Sequence, residues 1–346
     1  MFQTVTKIEL WLFCEILTCL TNTARVAGHS DQEHKVQNTL KASVTFEGVG
    51  LHSGQSARLV INPAPAGHGI VFKRTDIALG NTMVPALWDY VERTALCTRL
   101  INSAGVTIST VEHVMAALAG CGVHNALIEI DGPEVPILDG SSAEFVRGIM
   151  GQGIHRLATP VTAIQVLKPI TVENDGASAT LLPCDRLMIE FHIDFDEQAI
   201  GRQSRVLDLR NGAFVRELCD SRTFCRRVDV ETMQANGLAL GGVPGENAIV
   251  FDGSRVESGE GLRHSDEPVR HKMLDALGDL ALAGGPLLGR YVGDRAGHAL
   301  TNTLLRKLFA TPDAMRRVDC DLAMTARLPG QGLVRSEIPN PSRRVA

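Results

Sequence analysis

Gly151-Gln-Gly-Ile-His-Arg-Leu-Ala-Thr-Pro160 decides the fold. Gly151, Gly153 and Pro160 punctuate it, and such residues interrupt helices and strands alike. On either side of this joint the chain repeats one order of elements. Upstream, Ala42-Ser-Val-Thr-Phe46 and Ala57-Arg-Leu-Val-Ile61 alternate as half-buried strands do, with the glycines of Gly48-Val-Gly-Leu-His-Ser-Gly54 marking a tight turn between them. Further strands read at 69–73 and 125–130, and helices over 110–120 and 142–150. Downstream, strands near 164–172, 179–182 and 188–193 come first. Helical patterns at 211–219 and 228–236, a strand at 248–251, and helices over 268–283 and 301–310 follow. Strands first and helices afterwards, in each half, predicts α+β layering rather than a doubly wound parallel sheet. The expected bounds are 37–155 and 161–311, with 1–36 an N-terminal extension. Residues 312–346 are expected to form a poorly packed tail, rich in arginine, proline and glycine.

Composition narrows the class. The chain has 346 residues, 44% hydrophobic and 21% charged, which suits a soluble globular protein with room for two domains. A net charge of -5 and 4% aromatic residues disfavour nucleic acid as a partner. The eight cysteines are scattered without a CxxC pair, as in a cytoplasmic protein with reduced thiols. Residues 8–20 are apolar but too short to span a bilayer, and Glu9 and Glu15 interrupt what a signal peptide needs. They read as an amphipathic appendage or an over-extended start. No integral membrane span is expected, and peripheral contact stays open.

The chemistry concentrates in Thr110-Val-Glu-His-Val-Met-Ala-Ala-Leu118 and His271-Lys-Met-Leu-Asp-Ala-Leu-Gly-Asp279. Glu112 and His113 are adjacent, so on a helix their side chains diverge by about 100°. A metal on His113 would leave Glu112 aimed at a water beside it, the placement of a general base. The plain alternative is a capping-type glutamate and an ordinary satisfied histidine. His271, Asp275 and Asp279 step by four and share one helix face. Such a stripe is commonly a solvated face, yet two aspartates four apart repel unless a cation is near. His298, in Gly297-His-Ala-Leu300, suits an acid or an electrostatic stabiliser, or is a plain loop residue. Three N/O ligands with an open fourth position point to a hydrolytic metal site and not to a closed structural one.

Together with Ser221-Arg-Thr-Phe224 and the Gly48–Gly54 loop, these stretches resemble the UDP-3-O-acyl-N-acetylglucosamine deacetylase family. This is a zinc enzyme family of lipid A synthesis, and the motifs stand in family order over roughly 37–335. The resemblance implies two α/β sandwich domains with the site between them. It implies Zn2+ on His113, His271 and Asp275, although two imidazoles and a carboxylate also accept Fe2+. It implies Glu112 as general base, Thr223 as oxyanion partner, and His298 as acid or electrostatic partner oriented by Asp279. Lys272 and Phe224 would contact substrate, and Arg295 would stand near the diphosphate of a UDP-sugar bearing a 3-O-acyl chain. Two departures are visible: Thr223-Phe-Cys-Arg226 replaces the commoner Thr-Phe-Gly-Phe, and Gly241-Gly-Val-Pro-Gly-Glu-Asn247 is unusual. Two competing readings are a catalytically silent UDP-sugar-binding relative, which would have no need of Glu112, and a different zinc amidohydrolase.

Overall fold

Alternation in Ser56–Pro63 builds the first layer: Ala57, Leu59 and Ile61 turn inward and are buried, while Ser56 and Arg58 face solvent. In the computed structural model, which describes residues 37–94, 96–259 and 261–337, this strand belongs to a five-stranded sheet. The order is Val44–Val49, Ser56–Pro63, Ala126–Ile130, Ile70–Arg74 and Met83–Pro85. Helices α1 (Glu112–Gly120) and α2 (Ala143–Gln152) cover it, the Phe145 ring meeting Phe46 edge-on at 4.9 Å. The 151–160 joint is more than a linker. Its Ile154–Leu157 is a strand that pairs antiparallel with Gln37–Leu40, tying the end of the first half to its beginning.

The second sheet has seven strands centred on Leu287–Asp294, which pairs antiparallel with Ala177–Pro183 and parallel with Leu187–Asp194. Outside it lie α3 (Ala213–Glu217), α4 (Arg227–Ala235), α5 (Glu267–Ala281) and α6 (His298–Ala310). A small arm of Phe224–Arg226, Ile249–Asp252 and Arg255–Glu257 carries α4. The fold is therefore α+β, with sheets in two regions. Pro268 sits in the first turn of α5, where its missing N–H costs nothing. Twelve of the fifteen α5 residues are buried, the charged stripe included, so that stripe is no solvated face.

The tail departs from expectation. Met315–Asp319 pairs antiparallel with Thr162–Val166 as an edge strand of the second sheet. Cys320 and Leu328 are buried against Val161, Ala163 and Leu288. Arg316 and Arg317 mask the strand in the sequence because both are exposed, one on each face of an outer strand, where charges protect a sheet edge. Cys14 and Cys19 lie outside the described residues, and the six described cysteines are free. No helix among the described residues is long and apolar enough to cross a membrane.

Candidate metal centre

The centre forms where α1 crosses α5. Gly278 permits the contact: a Cβ there would lie 2.0 Å from the Glu112 carbonyl oxygen and 2.8 Å from its carbon. Both obstacles are backbone, so any larger residue must push the helices apart. The close crossing brings His113, on α1, to His271 and Asp275, on α5. Asp275 Oδ1 lies 3.6 Å from His113 Nε2 and 3.3 Å from His271 Nε2, and all three residues are buried. Gly278→Ala is expected to cost about 1–3 kcal/mol, as overpacking does. It should also weaken metal binding by spreading the ligands. Thermal melting and metal titration of the variant check this; an unchanged metal affinity would sever the link between helix spacing and site.

The residues fit a divalent cation. Their three ligand atoms lie within 4.8 Å of one another. Tetrahedral bonds of 2.0–2.1 Å separate neighbouring ligands by about 3.3 Å, close to the two distances above. Asp275 Oδ1 is buried with no hydrogen-bond partner, an arrangement that costs free energy unless a cation faces the oxygen. His271 Nδ1 donates to the Ser221 carbonyl at 3.0 Å, which leaves Nε2 with a free lone pair. Burial holds His271 down at about 4, so the imidazole is neutral and able to ligate. Burial pushes Asp275 upward, but the positive charge of its neighbours, the Lys272 ammonium among them, outweighs it and keeps the carboxylate ionised. Lys272 Nζ donates to the second oxygen, Oδ2, at 2.9 Å.

Beside the ligands stands an acid–base pair. Glu112 Oε1 lies 3.8 Å from His298 Nε2. His298 Nδ1 donates to Asp279 Oδ2 at 2.9 Å. Burial opposes charge on His298, yet Asp279, Glu112 and Asp275 raise it to about 9. Burial raises Glu112, against the pull of His298 and His113. Two groups whose environments drive them in these ways are suited to complementary roles. Thr98, which sequence reading passed over, ties them together. Its N–H donates to Glu112 Oε2 at 3.1 Å and its hydroxyl to Asp279 Oδ1 at 2.6 Å. Nothing in the run around Thr98 signals this, since the partners are brought there by tertiary packing.

A pocket of about 500 Å3 opens from these groups and takes in Thr223, Phe224 and Lys272. Thr223 is pinned through its backbone: its N–H donates to Gly140 O at 2.7 Å, and its carbonyl accepts from Ile249 N–H at 2.9 Å. Gly140 is glycine for two reasons, a φ of +81° and a Cβ position 2.1 Å from the Asn247 carbonyl oxygen. The Phe224 ring stands 6.2 Å from His271. Two predicted residues do not line this pocket: Asp279, which is buried behind His298, and Arg295, which is exposed and donates to the Gly176 carbonyl and to Asp294. His52, given no role from sequence, does line it, with both ring nitrogens buried and unpartnered.

The family model for UDP-3-O-acyl N-acetylglycosamine deacetylase matches residues 37–310. The chain belongs to this deacetylase family. Among its relatives, a Shewanella frigidimarina protein named UDP-3-O-acyl-N-acetylglucosamine deacetylase is 44% identical over 300 residues, covering 85% of this chain and 97% of that one. A Phenylobacterium zucineum protein of the same name is 46% identical over 280 residues, covering 81% and 95%. The match to the deacetylase model stops at residue 310, whereas the second sheet runs on to Asp319.

Proposed function

We propose that this chain hydrolyses the N-acetyl group of UDP-3-O-acyl-N-acetylglucosamine, giving the free amine and acetate in lipid A biosynthesis. The observation that carries the reading is the buried His113, His271 and Asp275 cluster flanked by Glu112 and His298, in a member of the deacetylase family. Zinc is the metal this donor set favours, with ferrous iron the nearest substitute. When bound, such an ion supplies Lewis acidity, polarising a carbonyl and acidifying water.

The remaining chemistry belongs to the chain. Glu112 takes the proton of the attacking water, a transfer helped by the burial that raises its proton affinity. Thr223 donates its hydroxyl to the amide oxygen as that oxygen gains charge. As the C–N bond breaks, protonated His298 delivers a proton from Nε2 to the departing nitrogen, while Asp279 holds Nδ1. Lys272 and Phe224 contact the substrate, and Arg295 is a cation within reach of the diphosphate. The two layered halves, 37–155 and a second that starts at 161 and runs past 311 to include the Met315–Asp319 strand, act as domains around this site. The free thiols are consistent with a cytoplasmic enzyme.

The test is acetate release from UDP-3-O-acyl-N-acetylglucosamine by the metal-loaded protein. Turnover supports the reading; stoichiometric metal without turnover favours a silent relative. A second expectation concerns pH. His298 is raised to about 9, so its protonated form is full at neutral pH and lost as pH rises through about 9. Asp279→Asn removes a carboxylate that raises it, so the alkaline limb of kcat/KM should move to lower pH. An alkaline limb left in place would remove Asp279 from this role.

A further inference from the structure

Thr110, the residue before the cap of α1, is buried and has a φ of +59°. A β-branched side chain is disfavoured in that left-handed region, and such a conformation persists only where neighbours over-determine it. Here the neighbour is Glu134, whose Oε1 accepts the Thr110 hydroxyl at 2.8 Å. The same carboxylate accepts the His52 N–H on Oε1 at 2.9 Å and the Ser53 N–H on Oε2 at 2.8 Å. Glu134 is buried, and its own backbone is clipped beside residue 109. The Ser109 N–H donates to the Pro133 carbonyl at 2.9 Å, and the Val135 N–H donates to the Ser109 carbonyl at 3.1 Å. Gly50 makes room for the carboxylate, since a Cβ there would lie 2.4 Å from Oε2. Leu51, His52 and Thr110 line the pocket, but Glu134 does not.

We propose that Glu134 is a positioning residue: by holding Thr110 in its left-handed turn, it aims the Glu112 carboxylate. The proposal rests on the deacetylase reading and deepens it. The cap of α1, Val111, makes no side-chain hydrogen bond that would direct the helix start. Direction comes instead from Thr98. Its carbonyl accepts the Val111 N–H at 3.3 Å, and its N–H donates to Glu112 Oε2 at 3.1 Å. Both contacts depend on how the chain enters the helix, which the turn at Thr110 decides. Beyond Glu112 the helix is pinned by other means. The Glu112 carbonyl abuts Gly278, and the His113 carbonyl accepts the Ser142 hydroxyl at 2.8 Å. A relaxed Thr110 therefore swings Val111 and the Glu112 side chain away from Thr98 while His113 stays in place. The base loses its aim and the metal keeps its ligands.

The experiment measures acetate release from UDP-3-O-acyl-N-acetylglucosamine per metal-loaded site. It compares wild type, Thr110→Val, Thr110→Gly, Glu134→Gln and the Glu134→Gln/Thr110→Gly double variant. Thr110→Val keeps the shape and the backbone penalty but loses the donor. It should bind one equivalent of metal and lose about 10–100-fold in kcat, as a misplaced catalytic group does. Glu134→Gln offers one acceptor oxygen in place of two and turns an amide N–H toward the remaining donors. It should lose as much in kcat, and its KM should rise because the 52–53 loop loosens. Thr110→Gly adopts a positive φ without help and should keep kcat near wild type. Added to Glu134→Gln, it should restore kcat and leave KM raised, a rescue that a merely structural glutamate would not show. Failure of that rescue, wild-type kcat in Thr110→Val, or loss of metal from Thr110→Val would overturn the proposal and leave the deacetylase reading intact. Crystal structures of metal-loaded wild type and Glu134→Gln read the same geometry without turnover. Glu112 Oε2 should meet the Thr98 N–H in wild type and leave it in the variant. An unmoved Glu112 would overturn the proposal, whereas absence of acetate from wild type would overturn the deacetylase reading.

Discussion

Glu112→Ala should retain one equivalent of metal and lose about 10²–10⁴ in kcat, the range for removing a positioned general base. Glu112 is not among the three atoms that close on one another at the helix crossing, so its loss leaves His113, His271 and Asp275 in place. Its backbone carbonyl still abuts Gly278, and alanine keeps that packing. What disappears is the carboxylate that faces His298 at 3.8 Å and accepts the Thr98 N–H. Metal analysis beside steady-state kinetics separates the two roles. Loss of metal in this variant would mean that Glu112 is a ligand and that the base lies elsewhere.

Asp275→Ala should have a comparable kinetic effect by a different route. It deletes the only carboxylate among the three ligand atoms and the hydrogen-bond partner of Lys272 at 2.9 Å, leaving a half-buried ammonium without that anion. Metal affinity should fall by at least the 10–100-fold seen when a group that only orients a ligand is lost, since a direct ligand contributes more. Activity at low metal concentration should be lost with it, and partly recovered by excess metal. Competition with a chelator reads the affinity directly. Retained affinity would remove Asp275 from the ligand set.

How much of this was legible depended on whether a residue's role is local or assembled. The alternation of 42–46 and 57–61 marked the inward and outward faces as expected, because one side of each strand meets the core. The spacing of His271, Asp275 and Asp279 foretold a shared helix face, and the resemblance supplied His113 as their partner. The central strand Leu287–Asp294 went unread because Gly289 and Gly293 interrupt its pattern. Those glycines make room for neighbours: a Cβ at either would lie 2.8 Å from Val166 or Phe191. Arg202–Asp208 was also passed over, since it is an outer strand, polar along most of its length. Thr98 joins Glu112, 14 positions on, to Asp279, 181 positions on, and Gly278 acts against Glu112 across the helix crossing, relations no local pattern reports. The error over the 312–346 tail came from reading arginine as a sign of poor packing, when here it decorates a sheet edge.

The central claim is that one divalent ion is held jointly by a histidine of α1 and by a histidine and an aspartate of α5. X-ray absorption at the zinc edge of the stoichiometrically loaded protein tests it most directly. The account predicts a first shell of nitrogen and oxygen at about 2.0–2.2 Å with outer-shell scattering from two imidazoles, reduced to one in His113→Ala. Sulfur ligands at about 2.3 Å, or a spectrum unaltered by His113→Ala, would contradict it.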